Sequence, residues 1–218
     1  MLSILFFLIS LSLILFSTPD ALAITFAEPS IALYFLHILT HMFGHADWGH
    51  LIGNYVFLFP YGLYLEHKHG KKRFLYLWFV AGLSSLLLHR IMSGHIGGLI
   101  GASGAISGIM AAALLSMNEN VFYKLAGIAV LSWRAYMEIN NALFGLPWIA
   151  YWGHFGGIVA GCLVSALWFV QDGGVARIRS GISRSCALFR SEGLLGSARL
   201  ASAWFVRQLR QTHKPGQD

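Results

Sequence analysis

The chain is rich in apolar residues and poor in charged ones. Of its 218 residues, 56% are hydrophobic and only 11% are charged, against roughly 25% charged residues in soluble domains. This composition excludes an ordinary water-soluble domain and favours a protein embedded in a lipid bilayer. The net charge of +6 does not indicate nucleic-acid binding, because the basic residues stand in short clusters beside apolar stretches, as membrane topology requires.

Six apolar stretches are long enough to cross a bilayer, since a helix rises about 1.5 Å per residue through about 30 Å of hydrocarbon. They are residues 2–24, 49–65, 74–92, 102–117, 121–137 and 147–170. We therefore predict an all-α membrane protein built as a bundle of six transmembrane helices.

The first stretch has a second interpretation. Residues 21–23, Ala-Leu-Ala, resemble a signal-peptidase site that follows an apolar segment. No basic residue precedes that segment, as a signal peptide would require. We therefore expect the first span to be retained, with a cleaved signal peptide as the alternative.

The basic residues predict the orientation of the chain. If the chain crosses the membrane six times, all 15 Lys and Arg residues except Arg90 and Arg134 fall on one side of the membrane. The positive-inside rule makes that side cytoplasmic, together with both termini. The loops near residues 25–48, 90–101 and 134–146 then face outward. A prokaryotic plasma membrane is the expected location, since we see no organelle transit peptide.

Residues 172–218 differ in composition from the membrane domain predicted at residues 1–171. Eight Lys and Arg residues lie in this segment, which we predict to be a basic cytoplasmic tail. Apolar residues from Leu194 to Leu209 stand near helical spacing, so an amphipathic helix on anionic lipid is one interpretation. We favour the simpler interpretation of a partly disordered tail that sets the topology.

Polar side chains inside membrane spans are costly and mark candidate functional sites. His50 and Asn54 lie four residues apart in the second span and share one helical face. Ser103 opens the fourth span, and His154 lies in the sixth. Counting residues along each span places all four roughly 4 to 12 Å below the outer surface. We therefore expect these side chains to meet.

Glycines at four-residue spacing indicate that two of these spans pack against each other. They are Gly104, Gly108, Gly153, Gly157 and Gly161. Small residues at this spacing let helix backbones approach closely in lipid. Such a contact would bring the Ser103 hydroxyl within hydrogen-bond reach of the His154 imidazole, which an alcohol nucleophile needs for activation. Ser103 would also begin a helix, whose unpaired N–H groups favour a developing oxyanion.

Three motifs together resemble the rhomboid intramembrane proteases over about residues 1–170. They are His-x4-His-x3-Asn from His45 to Asn54, Gly-x-Ser-Gly from Gly101 to Gly104, and His-x-Gly-Gly from His154 to Gly157. The resemblance implies a serine endopeptidase that cleaves transmembrane segments of membrane proteins through an acyl-enzyme. Its partners would be these substrates and membrane lipid, with no metal or organic cofactor. It does not indicate an oligomeric state.

The resemblance also implies roles for individual residues. Ser103 and His154 would form a catalytic dyad. His50, Asn54 and the Ser103 backbone N–H would line the oxyanion hole, and His45 would be a structural histidine. The predicted spans place no carboxylate at the depth of the dyad, so we expect a dyad and not a triad.

One departure from the family concerns the first external loop. The family's Trp-Arg pair is missing there, and residues 25–44 leave the loop short. Trp133 and Arg134 are predicted to lie in a different loop and do not replace the pair. The departure bears on loop packing and substrate access and not on the dyad.

Two other functions compete with proteolysis. His37, His41 and His45 stand at four-residue spacing, which is a spacing that metal or haem ligands on one helical face have. They lack carboxylate or thiol partners, which makes this a weak metal signal. The other alternative is an inactive relative that binds membrane proteins without cleaving them. Its usual signature is loss of the serine or the histidine, and both are present here.

Overall fold

The computed structural model describes residues 1–18, 31–93, 99–117, 121–145, 149–176 and 178–183. These residues are mostly helical, which confirms the all-α prediction. The main helices are α1 (Leu2–Phe16), α2 (Ile31–Thr40), α3 (Trp48–Ser93), α4 (Ser103–Ser116), α5 (Val121–Phe144) and α6 (Tyr151–Gln171).

Helix α3 contains both the second and the third predicted spans. Its 46 residues are interrupted at Gly70, where φ is 82° and ψ is 162°, a conformation that glycine adopts without a Cβ clash. A Cβ added to Gly62 would lie 3.3 Å from the Phe74 ring, so the chain folds back at Gly70. We call residues 48–69 the first arm of α3 and residues 71–93 the second arm.

Within the first predicted span, residues 2–24, helix α1 ends at Phe16 and Ser17 is extended, with φ −131° and ψ 155°. Residues 19–24 of that span lie outside the described residues. Pro19 accounts for this early end, because a proline disfavours helical backbone at the preceding residue, here Thr18. Apolar composition alone does not mark such a stop.

All three predicted loops contain helix, and α3 extends to Ser93 in the loop predicted near residues 90–101. Helix α2 lies within the loop predicted at residues 25–48, and α5 continues to Phe144 instead of ending at residue 137. The loop prediction for residues 134–146 is therefore wrong over most of its length. Trp133 and Arg134 lie on helix α5 and not in a loop.

All six predicted spans contain helix, but they differ in length. Among the described residues, α3 and α6 are long and apolar enough to cross a bilayer. Helices α1 and α4 are apolar too, with 15 and 14 residues. At about 1.5 Å per residue, each reaches roughly 20 Å, which is short of the full hydrocarbon thickness.

Helix α1 is held against α3 at its amino end by a buried carboxylate. Glu66 of the first arm is 8% exposed. It accepts hydrogen bonds from the backbone N–H groups of Leu2, at 2.6 Å, and Ser3, at 2.7 Å. The first N–H groups of a helix have no intrahelical acceptor, and negative charge is favourable there. Glu66 therefore caps α1.

Aromatic packing extends this contact along α1. The Phe6 ring lies 5.2 Å from Phe43, 6.0 Å from Phe74 and 4.6 Å from Trp78, measured between ring centroids. Edge-to-face and tilted pairs at these distances add to the stability gained from burial. Removal of α1 would expose this cluster. The candidate cleavage site at residues 21–23 lies outside the described residues.

The chain divides into two compact units, Met1–Ser165 and Ala166–Asp218. The first unit contains every residue predicted to act in the site. In the second, Gly173 lies two residues after the end of α6 and has a φ of 75°, in the left-handed region that favours glycine after a helix. The predicted amphipathic residues from Leu194 to Leu209 lie outside the described residues.

Candidate active site

Ser103 and His154 are joined by a hydrogen bond between two helices. Ser103 is the first residue of α4, and His154 lies in the first turn of α6. The His154 Nε2 atom is 2.9 Å from the Ser103 Oγ atom. When Nε2 carries no proton, the serine hydroxyl donates to it. An alcohol held in this way is arranged for activation as a nucleophile.

Glycines set the distance between these two helices. A Cβ added to Gly157 would lie 1.9 Å from the Gly104 carbonyl oxygen, and one added to Gly161 would lie 2.2 Å from that of Gly108. Helices α4 and α6 therefore pack backbone against backbone. The predicted glycine-mediated contact of the fourth and sixth spans is confirmed.

Gly101 shapes the turn that precedes Ser103. Its φ of 118° is in the left-handed region, and an added Cβ would lie 2.8 Å from the His50 Nε2 atom and 3.7 Å from the Asn54 Nδ2 atom. Only glycine fits this approach. The Gly101 N–H donates to the His41 carbonyl oxygen over 2.8 Å. The turn thus brings the polar pair of α3 beside the backbone that leads into Ser103.

Asn54 and His50 present donors beside this turn. Asn54 is 8% exposed, and no acceptor among the described residues reaches its Nδ2 atom. A buried donor without an acceptor is costly, and it is suited to hold an oxygen that becomes negative during a reaction. The backbone N–H of His50 donates to Asp47 Oδ1 over 2.8 Å, which caps α3 and fixes the helix turn that carries His50.

These groups face a common cavity of about 890 Å³. Its lining includes His50, Asn54, Ser103 and His154, together with Val130, Trp133 and Arg134 of α5. The volume lies in the upper part of the range of ordinary ligand sites. All four residues predicted to meet are therefore brought to one cavity.

Glu138 is the residue that sequence analysis missed. Its Oε2 atom is 3.0 Å from the His154 Nδ1 atom, its other oxygen pairs with Arg134, and it is 1% exposed. The prediction that no carboxylate accompanies Ser103 and His154 is wrong, because α5 continues past the predicted end of the span. A signal was present, since opposite charges four residues apart favour helix.

His41 and His45, which precede α3, are buried and bonded to the backbone. The His41 Nδ1 atom lies 3.0 Å from the His37 carbonyl oxygen, and the His45 Nδ1 atom lies 3.2 Å from that of Phe43. Burial lowers the pKa of His41 to about 4. Burial, and secondly the nearby His50, lower the pKa of His45 to about 4. In the described part of the chain, no three His, Cys, Asp or Glu side chains converge as metal ligands.

We expect the protein to lose stability as the pH falls from about 6.5 towards 4. In this window His41 and His45 bind protons when unfolded but stay neutral when folded, so unfolding is favoured. The cost at pH 5 is on the order of 2 kcal/mol for each histidine. Thermal melting of the detergent-purified protein at pH 7 and pH 5 measures it. His41→Gln should lose less stability over this step, and an equal loss would contradict the assignment.

The chain is similar in sequence to known proteins. A family model described as Rhomboid domain matches residues 33–171. The mitochondrial RHOMBOID-like protein 6 of Arabidopsis thaliana is 31% identical over 140 residues, covering 62% of this chain and 44% of that protein. RHOMBOID-like protein 1 of the same plant is 28% identical over 135 residues, covering 62% and 34%. This chain therefore spans less than half the length of these curated relatives.

The matched segment holds the whole site. Residues 33–171 make up well over half of the 218 residues, and they include α3, α4, α5 and α6 with every cavity residue named above. The chain belongs to the rhomboid family of integral membrane proteins.

Proposed function

We propose that this protein is an intramembrane serine endopeptidase that cleaves transmembrane segments of membrane proteins. The observation that carries the proposal is the 2.9 Å hydrogen bond between Ser103 Oγ and His154 Nε2, in a cavity large enough for an extended peptide segment. Membership of the rhomboid family supports the same reaction class. Ser103 is the nucleophile and His154 is the general base.

The reaction proceeds in two halves. Ser103 Oγ attacks the peptide carbonyl carbon while His154 takes the hydroxyl proton. The tetrahedral oxyanion is held by Asn54 Nδ2, the His50 ring and the Ser103 backbone N–H. His154 then donates its proton to the leaving amine, and the acyl-enzyme ester remains on Ser103. Water, deprotonated by His154, attacks the ester, and Ser103 recovers its proton as the acid product leaves.

The unpaired donor of Asn54 supports the oxyanion assignment in particular. Leaving a buried N–H without an acceptor costs roughly 1 to 3 kcal/mol. That cost is recovered when a negative oxygen occupies the position, so the group stabilises the transition state more than the resting enzyme. The helix start at Ser103 adds unpaired backbone N–H groups on the same side.

The proposed setting is a multi-pass membrane protein with six spans and both termini in the cytoplasm, in a prokaryotic plasma membrane. Helix in all six predicted spans supports the count, and the side on which the Lys and Arg residues cluster supports the orientation. The cavity then opens towards the outer surface. Substrates are membrane proteins whose spanning helix unwinds near its outer end, and lipid surrounds the bundle.

Labelling with a fluorophosphonate probe tests the proposal without a known substrate. The probe should attach covalently to Ser103 in the detergent-purified protein, and Ser103→Ala should not be labelled. Ser107→Ala is a matched control, since Ser107 lies one turn further along α4 and donates to the Ser103 carbonyl oxygen over 2.8 Å. This variant should keep its labelling.

Two results would count against the protease assignment. Equal labelling of wild type and Ser103→Ala would show that Ser103 is not the activated residue. A folded wild-type protein that resists the probe would favour the alternative of an inactive relative that binds membrane proteins. Mass spectrometry of the labelled peptide identifies the modified residue in either case.

A further inference from the structure

Glu138 stands behind His154, on the side of the ring away from Ser103. Its Oε2 atom lies 3.0 Å from His154 Nδ1, while the opposite ring nitrogen faces Ser103 Oγ at 2.9 Å. The three side chains therefore form a continuous line of hydrogen bonds that joins α5, α6 and α4. Glu138 is 1% exposed, so water does not compete for its contact with the ring.

We propose that Glu138 is a positioning residue for His154, which makes the site a Ser-His-Glu arrangement. The inference rests on the proposed function, because it concerns how the same histidine is prepared for proton transfer. A carboxylate at Nδ1 fixes the tautomer in which Nδ1 carries the proton and Nε2 is free to accept from Ser103. It also stabilises the imidazolium that forms when the serine proton arrives.

Arg134 holds the second oxygen of the Glu138 carboxylate. The two residues lie four apart on α5, and the Arg134 side chain is 41% exposed while that of Glu138 is 1% exposed. A guanidinium in this position prevents the carboxylate from rotating away from the ring and balances its charge. The Arg134 side chain also lines the cavity.

A role in stability alone explains the burial of Glu138 poorly. Removing a carboxylate from water costs several kcal/mol, whereas an ion pair four residues apart on a helix contributes only about 0.3 to 0.5 kcal/mol when exposed. The half-exposed Arg134 therefore offsets only part of the cost. A carboxylate that orients the neutral His154 ring and stabilises the imidazolium formed during the reaction gives the burial a benefit.

The test compares Glu138→Gln with wild type in cleavage of a fluorescent transmembrane substrate and in probe labelling of Ser103. Glutamine keeps the size of the side chain but no longer imposes the tautomer that carries the proton on Nδ1. We expect kcat to fall by about 100-fold or more, and by up to about 10⁴-fold if Glu138 acts as the acid does in other catalytic triads. KM and the melting temperature should change little. Glu138→Asp, which keeps the charge, should recover part of the loss.

Glu66→Gln is the matched control. Glu66 is the other buried glutamate among the residues that the structure describes, and it caps α1 without lining the cavity. The same substitution there should lower the melting temperature and leave kcat unchanged at temperatures where the protein is folded. This pattern is the reverse of the one expected for Glu138→Gln.

A double variant distinguishes a positioning role of Glu138 from a purely structural role. If Glu138 acts through His154, adding Glu138→Gln to His154→Ala causes no further loss of rate. Additive losses in rate, or an unchanged kcat in a folded Glu138→Gln protein that still labels at Ser103, would overturn the inference while leaving the proposed protease intact. If Glu138→Gln unfolds, the same comparison is made with Glu138→Asp. A wild type that does not label at Ser103 overturns both.

Discussion

His154→Ala is expected to lower the rate of substrate cleavage by at least about 10³-fold, which corresponds to about 4 kcal/mol of transition-state stabilisation. The variant removes the acceptor that lies 2.9 Å from Ser103 Oγ, and an unassisted serine hydroxyl is a weak nucleophile near neutral pH. In the proposed mechanism, it also removes the acid that protonates the leaving amine. Cleavage of a fluorescent transmembrane substrate by purified protein measures the loss.

A histidine outside the cavity provides the control for this variant. His69 lies near the end of α4 opposite Ser103, where its Nε2 atom is 3.2 Å from Ser116 Oγ. His69→Ala should cleave within a few-fold of wild type. Cleavage by His154→Ala at a comparable rate, in a folded protein, would contradict the role of His154 as the base.

Gly157→Ala is expected to destabilise the bundle by roughly 2 to 3 kcal/mol or more, the upper part of the range for overpacked interiors. The added Cβ would lie 1.9 Å from the Gly104 carbonyl oxygen. A backbone oxygen cannot move aside as the end of a flexible side chain can, so α4 and α6 must separate. Thermal melting in detergent measures the change, and cleavage activity should fall with it.

Gly53→Ala is the control for the glycine prediction, with stability as its readout. Gly53 lies in the first arm of α3, and an added Cβ there would meet nothing within 4 Å. Alanine is the better helix former, so this change should be neutral or stabilising by up to about 1 kcal/mol. Equal melting temperatures for the two variants would show that the close contact of α4 and α6 does not limit stability.

The helical class could be predicted because composition and apolar length dominate in lipid. The bounds of the helices could not, since they depend on local stops and on tertiary contacts. Helix α1 ends at Phe16, well before the predicted span ends at residue 24. Helix α2 forms inside a segment that was predicted to be a loop, since a short helix leaves little trace in the hydrophobic pattern. The interruption of helix α3 depends on a single residue, Gly70.

The sequence predicted those residues of the candidate site that stand beside a recognisable motif. Ser103 and His154 each stand beside glycines, and that spacing is visible in the sequence. The signal for Glu138 was weaker, because the opposite charges of Arg134 and Glu138 four residues apart favour helix but do not indicate a contact with His154. Only continuation of α5 to Phe144 and the contact with α6 reveal what the carboxylate touches.

The hydrogen bond from the Gly101 N–H to the His41 carbonyl oxygen has a consequence for how this chain tolerates insertions and deletions. It joins two segments that are 60 positions apart in the sequence, and it does so two residues before Ser103. A change of length between His37 and Trp48 would shift His41 and pull on the turn that aims the serine. We therefore expect the stretch from His37 to Trp48 to keep its residue count.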